Sequence, residues 1–402
     1  MPKSICYILP CCSCCGGIMV VLEHANHLIE RGFDVSLLNI GGEGTLQWFP
    51  SNRAPTYSLA ANYPKSFDIV VATGWTTAYK ARLLGLRADR WIYLVQSDES
   101  LFVSKHNLEA DLARMTYFAS YEYVVVAKWM KEWLHRDFGK AALYVPNALN
   151  ESLMFQTDPI VPRTARLRVL LEGPIAWEIK GMSDAFAAIK DLDVEVWCVS
   201  NGTPKKGQRY DRLFQSVPYD QMRTVYSSCD VLLKMSKVES FGYPPLEMMA
   251  CGGTAVITRF TGQEEYASDG ENCFVVDIGD VQAASRRLRQ LSQDRALLAK
   301  LQQNATKRAA EKTGWGKSID LLQQLFNSPP SPVPTPNTAF EREAFHTLAL
   351  LADKLVIDFQ SNRLGDSMGC LQRLQHLERQ FHRLKTLSGY HFVRRLRRAL
   401  RL

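Results

Sequence analysis

Two glutamates, Glu239 and Glu247, carry the strongest chemical signal in this 402-residue chain. They stand in Ser236-Lys237-Val238-Glu239-Ser240-Phe241-Gly242-Tyr243-Pro244-Pro245-Leu246-Glu247-Met248-Met249-Ala250-Cys251-Gly252-Gly253. The apolar run before them, Val231 to Met235, reads as a buried strand. Pro244 and Pro245 read as the opening of a helix, where proline's missing N–H loses nothing, and Gly252-Gly253 as its close. The two acids therefore flank a strand-to-helix loop, with Glu239 on the loop and Glu247 in the first helical turn. A helix N-terminus offers free N–H groups and a partial positive charge, which suits a phosphate. Gly242 lets the backbone approach a ligand closely. A carboxylate beside a phosphate is repelled unless it faces hydroxyls instead. A nucleoside diphosphate sugar meets that demand, with hydroxyls on both sides of its phosphates. Exposed acids are the ordinary reading of such a spacing; the Ser240-Phe241-Gly242 context, the prolines and the preceding strand outweigh it here.

The segment Glu239-Ser240-Phe241-Gly242 followed by four residues and Glu247 resembles the E-x7-E signature of retaining glycosyltransferases of the GT-B fold, family 4. Glu265-Tyr266 and Asp269 to Val276 are similar to that family's following turn and strand, and the resemblance covers roughly residues 5 to 326. It implies an α/β protein of two Rossmann-like domains facing a central cleft. It also implies roles for individual residues. Gly16 and Gly17, after the first strand, would face the donor phosphates. Lys180 would neutralise the leaving diphosphate, with Ser240, Phe241 and Gly242 offering backbone amides. Glu239 would hold sugar hydroxyls, Glu247 the ribose, and the backbone near Val217 the base. Asp98, in Gln96-Ser97-Asp98-Glu99, is the expected acid near the donor sugar. Glu239, Lys180 and Asp98 are thus the expected catalytic set. One departure stands out: where the family carries an arginine after Gly173, this chain has Pro174.

The blocks Ala72 to Tyr79 and Tyr93 to Glu99 look like bacterial rhamnosyltransferases of surface polysaccharide synthesis. They imply dTDP-rhamnose as donor, with UDP- or GDP-sugars as alternatives, and a glycan or lipid-linked saccharide acceptor. No metal or other cofactor is expected. Asp191-Leu192-Asp193 matches a metal-binding motif by letters only, with no partner ligands in view, and reads as a turn. A degenerate fold acting as a scaffold through its tail is the alternative: Pro174 favours it, and intact Lys180, Glu239 and Glu247 oppose it.

The elements that would position these residues alternate strands with helical stretches. Ile5–Leu9, Val35–Leu38, Asp68–Ala72, Trp91–Val95, Tyr123–Val126 and Leu143–Val145 read as strands of the first half. Leu167–Leu171, Val194–Val199, Val231–Met235, Thr254–Ile257 and Phe274–Val276 read as strands of the second. Strands separated by helix-length segments argue parallel sheets with right-handed crossovers. The expected units are an acceptor domain over 1–160, a donor domain over 161–327, a proline-rich linker over 328–338 and a helical basic tail over 339–402.

Composition fits two soluble domains: 46% hydrophobic and 22% charged residues. No run reaches the roughly 20 apolar residues of a membrane span. A cytoplasmic enzyme is expected, with Cys11, Cys12, Cys14 and Cys15 as a small-residue loop rather than a zinc site, since adjacent cysteines chelate one ion poorly. The net charge of +7 equals the seven basic residues of 381–402, which has no acids. Phe392, Val393, Leu396, Ala399 and Leu400 fall on one helical face there, with arginines mostly elsewhere. That pattern suits an anionic membrane surface or a partner helix; nucleic acid is not expected, because residues 1–380 are balanced in charge.

Overall fold

A computed structural model of the protein describes residues 2–41, 44–81, 84–102 and 108–330. The proline-rich segment from 331 onward and the basic tail lie outside the described residues.

The first half runs β1 (Ser4–Leu9), α1 (Gly16–Glu30), β2 (Asp34–Asn39), β3 (Thr56–Ser58), β4 (Ser66–Ala72), α2 (Trp75–Lys80), β5 (Arg87–Val95), α3 (Leu108–Thr116), β6 (Glu122–Val125), α4 (Lys128–Phe138) and β7 (Ala142–Tyr144). The second runs β8 (Arg168–Glu172), α5 (Met182–Ile189), β9 (Glu195–Val199), β10 (Arg212–Phe214), α6 (Met222–Ser228), β11 (Val231–Lys234), α7 (Tyr243–Ala250), β12 (Thr254–Thr258), β13 (Phe274–Val276), α8 (Val281–Gln293), α9 (Arg295–Ala310) and α10 (Gly316–Asn327). Each half builds one sheet, ordered β3-β2-β1-β4-β5-β6-β7 and β10-β9-β8-β11-β12-β13. Every pairing is parallel; β1, for example, pairs Ile5 with Val35 on one side and with Ile69 on the other. Central strands such as Ile5-Cys6-Tyr7-Ile8-Leu9 are buried along their length, as a parallel sheet covered on both faces requires. These are two Rossmann-like domains, as expected.

Two strands escape the sequence pattern, β3 and β10. Each has three residues, lies at a sheet edge and mixes exposed with half-buried positions. With no apolar run, only pairing to a neighbour defines them.

The domains touch through specific bonds. The carboxylate of Glu265 accepts from the first amide of α4, Lys128 N (2.8 Å), and from the Tyr144 hydroxyl (2.7 Å). Trp129 Nε1 donates to Ser240 O (2.9 Å). The last described helix crosses back to the first domain, although its residues fall in the range expected for the second. Phe326 of α10 stands edge-on to Phe33, Lys3 Nζ donates to Phe326 O (2.7 Å), and Arg31 pairs with Asp320 (2.8 Å). The cause is the apolar face of α10: Ile319, Leu322 and Phe326 are buried in the same core cluster as α1.

Candidate active site

In an open α/β sheet, ligands bind beyond the carboxyl ends of the strands where strand order reverses. The first sheet reverses between β1 and β4, the second between β8 and β11. The expected site residues cluster at these two crevices.

At the second crevice, Glu239 leaves β11 on the loop that enters α7. Its Oε2 pairs with Lys180 Nζ at 2.8 Å, and its Oε1 accepts from Ser236 Oγ at 2.9 Å. Side-chain exposures of 14% for Lys180 and 11% for Glu239 show a half-sunk pair rather than two solvated charges. Gly181 makes this possible. Its φ is +65°, and a Cβ there would stand 1.8 Å from Met235 O. Only glycine lets the lysine loop pack on the exit of β11. The Lys237 N to Ile179 O bond (2.7 Å) joins the same two loops.

Glu247 sits deeper than expected. It is the fifth residue of α7, beyond the first turn, because Tyr243 begins the helix and Gly242 caps it. The residue is only 4% exposed. The Tyr219 hydroxyl donates to Oε1 (2.8 Å) and the Tyr226 hydroxyl to Oε2 (2.9 Å). Burial pushes its carboxyl up to about 7, against the downward pull of the two tyrosines. Each carboxylate oxygen has a second lone pair, so ribose hydroxyls could still be accepted. Val217 lies on the loop after β10, half-buried. Its neighbour Ser216 adopts φ +53°, the one positive φ outside glycine among the described residues.

Ser240, Phe241 and Gly242 form the bend into α7. Phe241 is buried against Tyr243 and Tyr266, and the Tyr266 hydroxyl donates to Gly242 O (2.6 Å). Across the cleft, Gly16 and Gly17 open α1. A Cβ on Gly16 would lie 3.5 Å from the Tyr243 ring, so the two helix N-termini face each other. Cys15 caps α1 through its backbone, and the thiols of Cys11, Cys12, Cys14 and Cys15 are all free.

The acid expected from the first domain, Asp98, is held by local partners. Asp98 is turned inward. Its Oδ1 accepts from Ser100 N (3.2 Å) and Ser100 Oγ (2.5 Å), and Arg114 lies 3.6 Å from its Oδ2. An aspartate two residues ahead of free amides caps them, and this one is spent on the short 3-10 turn Glu99–Leu101. Its neighbour Glu99 faces the crevice instead. Glu99 Oε2 accepts from Trp75 N (2.7 Å) and the Tyr93 hydroxyl (3.0 Å). Its Oε1 lies 3.1 Å from where a Gly74 Cβ would stand and has no hydrogen-bond partner among the described residues. Burial lifts this carboxyl to about 7; Tyr93 and Trp75 oppose the rise, and Asp98 adds to it. Gln96 ties the loops together by donating to Gly17 O (3.1 Å). Phe102, just past the turn, lies 5.5 Å from Lys180 Nζ, so the loop of Glu99 and the loop of Lys180 meet across the cleft.

Asp193 pairs with Arg166 at the amino end of β9, the opposite sheet edge from Lys180. Among the described residues no group of three His, Cys, Asp or Glu side chains is placed to hold a metal ion.

Residues missed by sequence reasoning include Tyr219, Tyr226, Glu172 and Lys234. Lys234 did carry a signal: a lysine ending an otherwise apolar strand must find a buried anion.

The two Rossmann-like domains thus meet with a paired lysine and glutamate at the switch point of the second. Residues 180–308 match the family model of glycosyl transferases group 1. The O-antigen biosynthesis protein RfbC of Myxococcus xanthus is 28% identical over 278 residues, covering 67% of this chain but 21% of that protein. The lipopolysaccharide core biosynthesis glycosyltransferase LpsE of Rhizobium meliloti is 31% identical over 111 residues, covering 28% of this chain and 33% of LpsE. This chain therefore spans about a fifth of RfbC and a third of LpsE. Among solved structures, sucrose-phosphate synthase of Thermosynechococcus elongatus superposes with TM-score 0.67 at 15% identity, covering 81% of this chain and 98% of that one. HepE of Anabaena in complex with UDP-glucose gives TM-score 0.63 at 15% identity, covering 80% and 98%. These likenesses establish the GT-B fold.

Proposed function

We propose that the protein is a retaining, metal-independent glycosyltransferase that moves a sugar from a nucleotide-sugar donor to a glycan or lipid-linked saccharide in bacterial surface polysaccharide synthesis. The observation that carries this reading is the Lys180–Glu239 pair, 2.8 Å apart at the switch point of the second domain, inside the span that matches the family model. RfbC and LpsE, by their names, act in O-antigen and lipopolysaccharide core synthesis, which supports the polysaccharide setting. HepE in complex with UDP-glucose supports a nucleotide sugar.

In this reading Lys180, Gly17 and the amides of Ser240–Gly242 hold the diphosphate. Glu239 takes donor sugar hydroxyls, Glu247 the ribose, and the backbone at Val217 the base. The acceptor hydroxyl attacks from the leaving-group side. As its oxygen bonds to the anomeric carbon, the bond to the diphosphate breaks and the diphosphate takes the proton. The protein's share is positioning and charge stabilisation. Glu99, rather than Asp98, is the acid we assign to the acceptor hydroxyl. The donor we favour is dTDP-rhamnose, with UDP- and GDP-sugars as alternatives.

The test is a panel of dTDP-, UDP- and GDP-sugars, read as released nucleoside diphosphate, with and without EDTA. One donor should be consumed at equal rate in both conditions. No release from any donor would remove the transferase reading, and release only with magnesium or manganese would remove the metal-independent part.

Residues 381–402 are proposed, on sequence alone, to hold the enzyme at an anionic membrane surface. Full-length chain should co-sediment with anionic liposomes, less so as salt rises, and a chain ending at Thr386 should not. Equal sedimentation of the two would end the proposal.

A further inference from the structure

A second buried cation stands at the crevice that holds Lys180. Lys234 is the last residue of β11, and its side chain is 4% exposed. Its Nζ donates to Glu172 O at 3.0 Å and to Glu172 Oε2 at 2.6 Å, at the end of β8. A Cβ built on Gly173 would lie 3.5 Å from that Nζ, so the ammonium sits directly under the loop that leads to Lys180. The ordinary reading is a structural pair joining two adjacent strands. Three observations weigh against it. A buried ion pair seldom stabilises a fold better than apolar residues would, and the rest of β11 is apolar. An ammonium has three donors; Glu172 takes two, and no described residue takes the third. The surroundings also hold more acid than one lysine needs. Burial draws the Lys234 ammonium down, but Glu172, Glu239 and Glu247 together hold its proton more firmly than an ordinary lysine's. The same crevice thus shows one device twice: Lys180 rests on Glu239 and Lys234 rests on Glu172, each cation held in place on a carboxylate.

We infer that Lys234 is a second diphosphate-binding cation, acting beside Lys180 on the phosphates of the donor. It supplies from β11 a positive charge that the loop after β8, with Pro174, does not. The inference rests on the donor-site reading above.

The experiment is calorimetry on the full chain with nucleoside diphosphate and nucleoside monophosphate of the same base, using UDP/UMP, dTDP/dTMP and GDP/GMP. Lys234→Met should lose about tenfold or more in affinity for the diphosphate, the loss expected for a hydrogen bond to a charged group, while the monophosphate changes little. Lys234→Arg should keep the preference for diphosphate. Glu172→Gln, which retains the lysine and frees its ammonium, should bind the diphosphate more tightly. Equal loss for both nucleotides in Lys234→Met would make Lys234 a structural pair and overturn the inference. If Lys234→Met does not fold, an unchanged diphosphate affinity in Glu172→Gln overturns it instead. A wild-type chain that binds no diphosphate of any base would overturn the donor reading itself, and this inference with it.

Discussion

The two switch points are built alike and furnished differently. Between β8 and β11 stand two lysines and three glutamates, paired at 2.8 and 2.6 Å or clamped by tyrosines. Between β1 and β4 stands Glu99, held by a tyrosine hydroxyl and a backbone amide, with one oxygen unclaimed among the described residues. The first kind of crevice suits a multiply charged leaving group, whose charge must be met whichever sugar it carries. The second suits a hydroxyl, which needs orientation and one good acceptor. The contrast between the two crevices is one of charge before it is one of shape.

The largest effect expected from breaking this contrast is on the charged side. Lys180→Ala should lower turnover by about 10²–10³-fold, the usual cost of removing one preorganised donor to developing negative charge. A loss of less than about threefold would contradict that role, since it would leave almost none of the stabilisation such a donor supplies.

Within the same crevice the two motif acids should separate. Glu247→Ala should weaken nucleoside diphosphate binding by about 1.5–3 kcal/mol, because the ribose loses a charged acceptor. Glu239→Ala should spare diphosphate binding and slow turnover, since its proposed contacts are to the sugar and its loss frees Lys180. Calorimetry and initial rates on both variants check this; matching losses of diphosphate affinity would erase the distinction.

How far the sequence reached follows the same line between the two crevices. The charged site was legible because it is carried by one contiguous run, Asp230 to Gly253, whose glycines and prolines mark the turn and helix start. Lys180-Gly181 was legible through the resemblance, which places a Lys-Gly pair after the first strand of the second half; that only glycine fits at 181 is seen in the structure alone. The depth of Glu247 was not legible, because Tyr219 and Tyr226 come from another segment and only packing brings them near. In the first domain the placement of one acid was not legible. Asp98 and Glu99 are adjacent acids, and nothing in their letters says that Ser100 draws the first inward as a cap. The edge strands β3 and β10 were invisible because Thr56-Tyr57-Ser58 and Arg212-Leu213-Phe214 carry no apolar run of the kind that marks the equally short β13, Phe274-Val275-Val276.

The smaller expected effect sharpens the acceptor side. Burial pushes the Glu99 carboxyl up from an ordinary 4.5 to about 7. Its charged neighbour is Asp98, with the hydroxyls of Tyr93 and Tyr117 facing it from β5 and the end of α3. An ionised carboxylate accepts a hydrogen bond from the acceptor hydroxyl, and so orients it for attack, better than a protonated carboxyl does. Efficiency toward the acceptor should therefore rise with pH through about 7 and level off above it. Glu99→Gln should flatten that rise, lower acceptor efficiency several-fold, and leave nucleoside diphosphate affinity unchanged. A pH profile identical to wild type would return Glu99 to a purely structural place.

In the proposed function, the second domain's lysine–glutamate crevice breaks the bond between a nucleoside diphosphate and a sugar. The most direct measurement is nucleoside diphosphate release from the donor panel by wild type and Lys180→Ala under identical conditions. The wild type should release nucleoside diphosphate from at least one nucleotide sugar, and the variant should lose nearly all of that release. No release by the wild type, or equal release by both proteins, would contradict it.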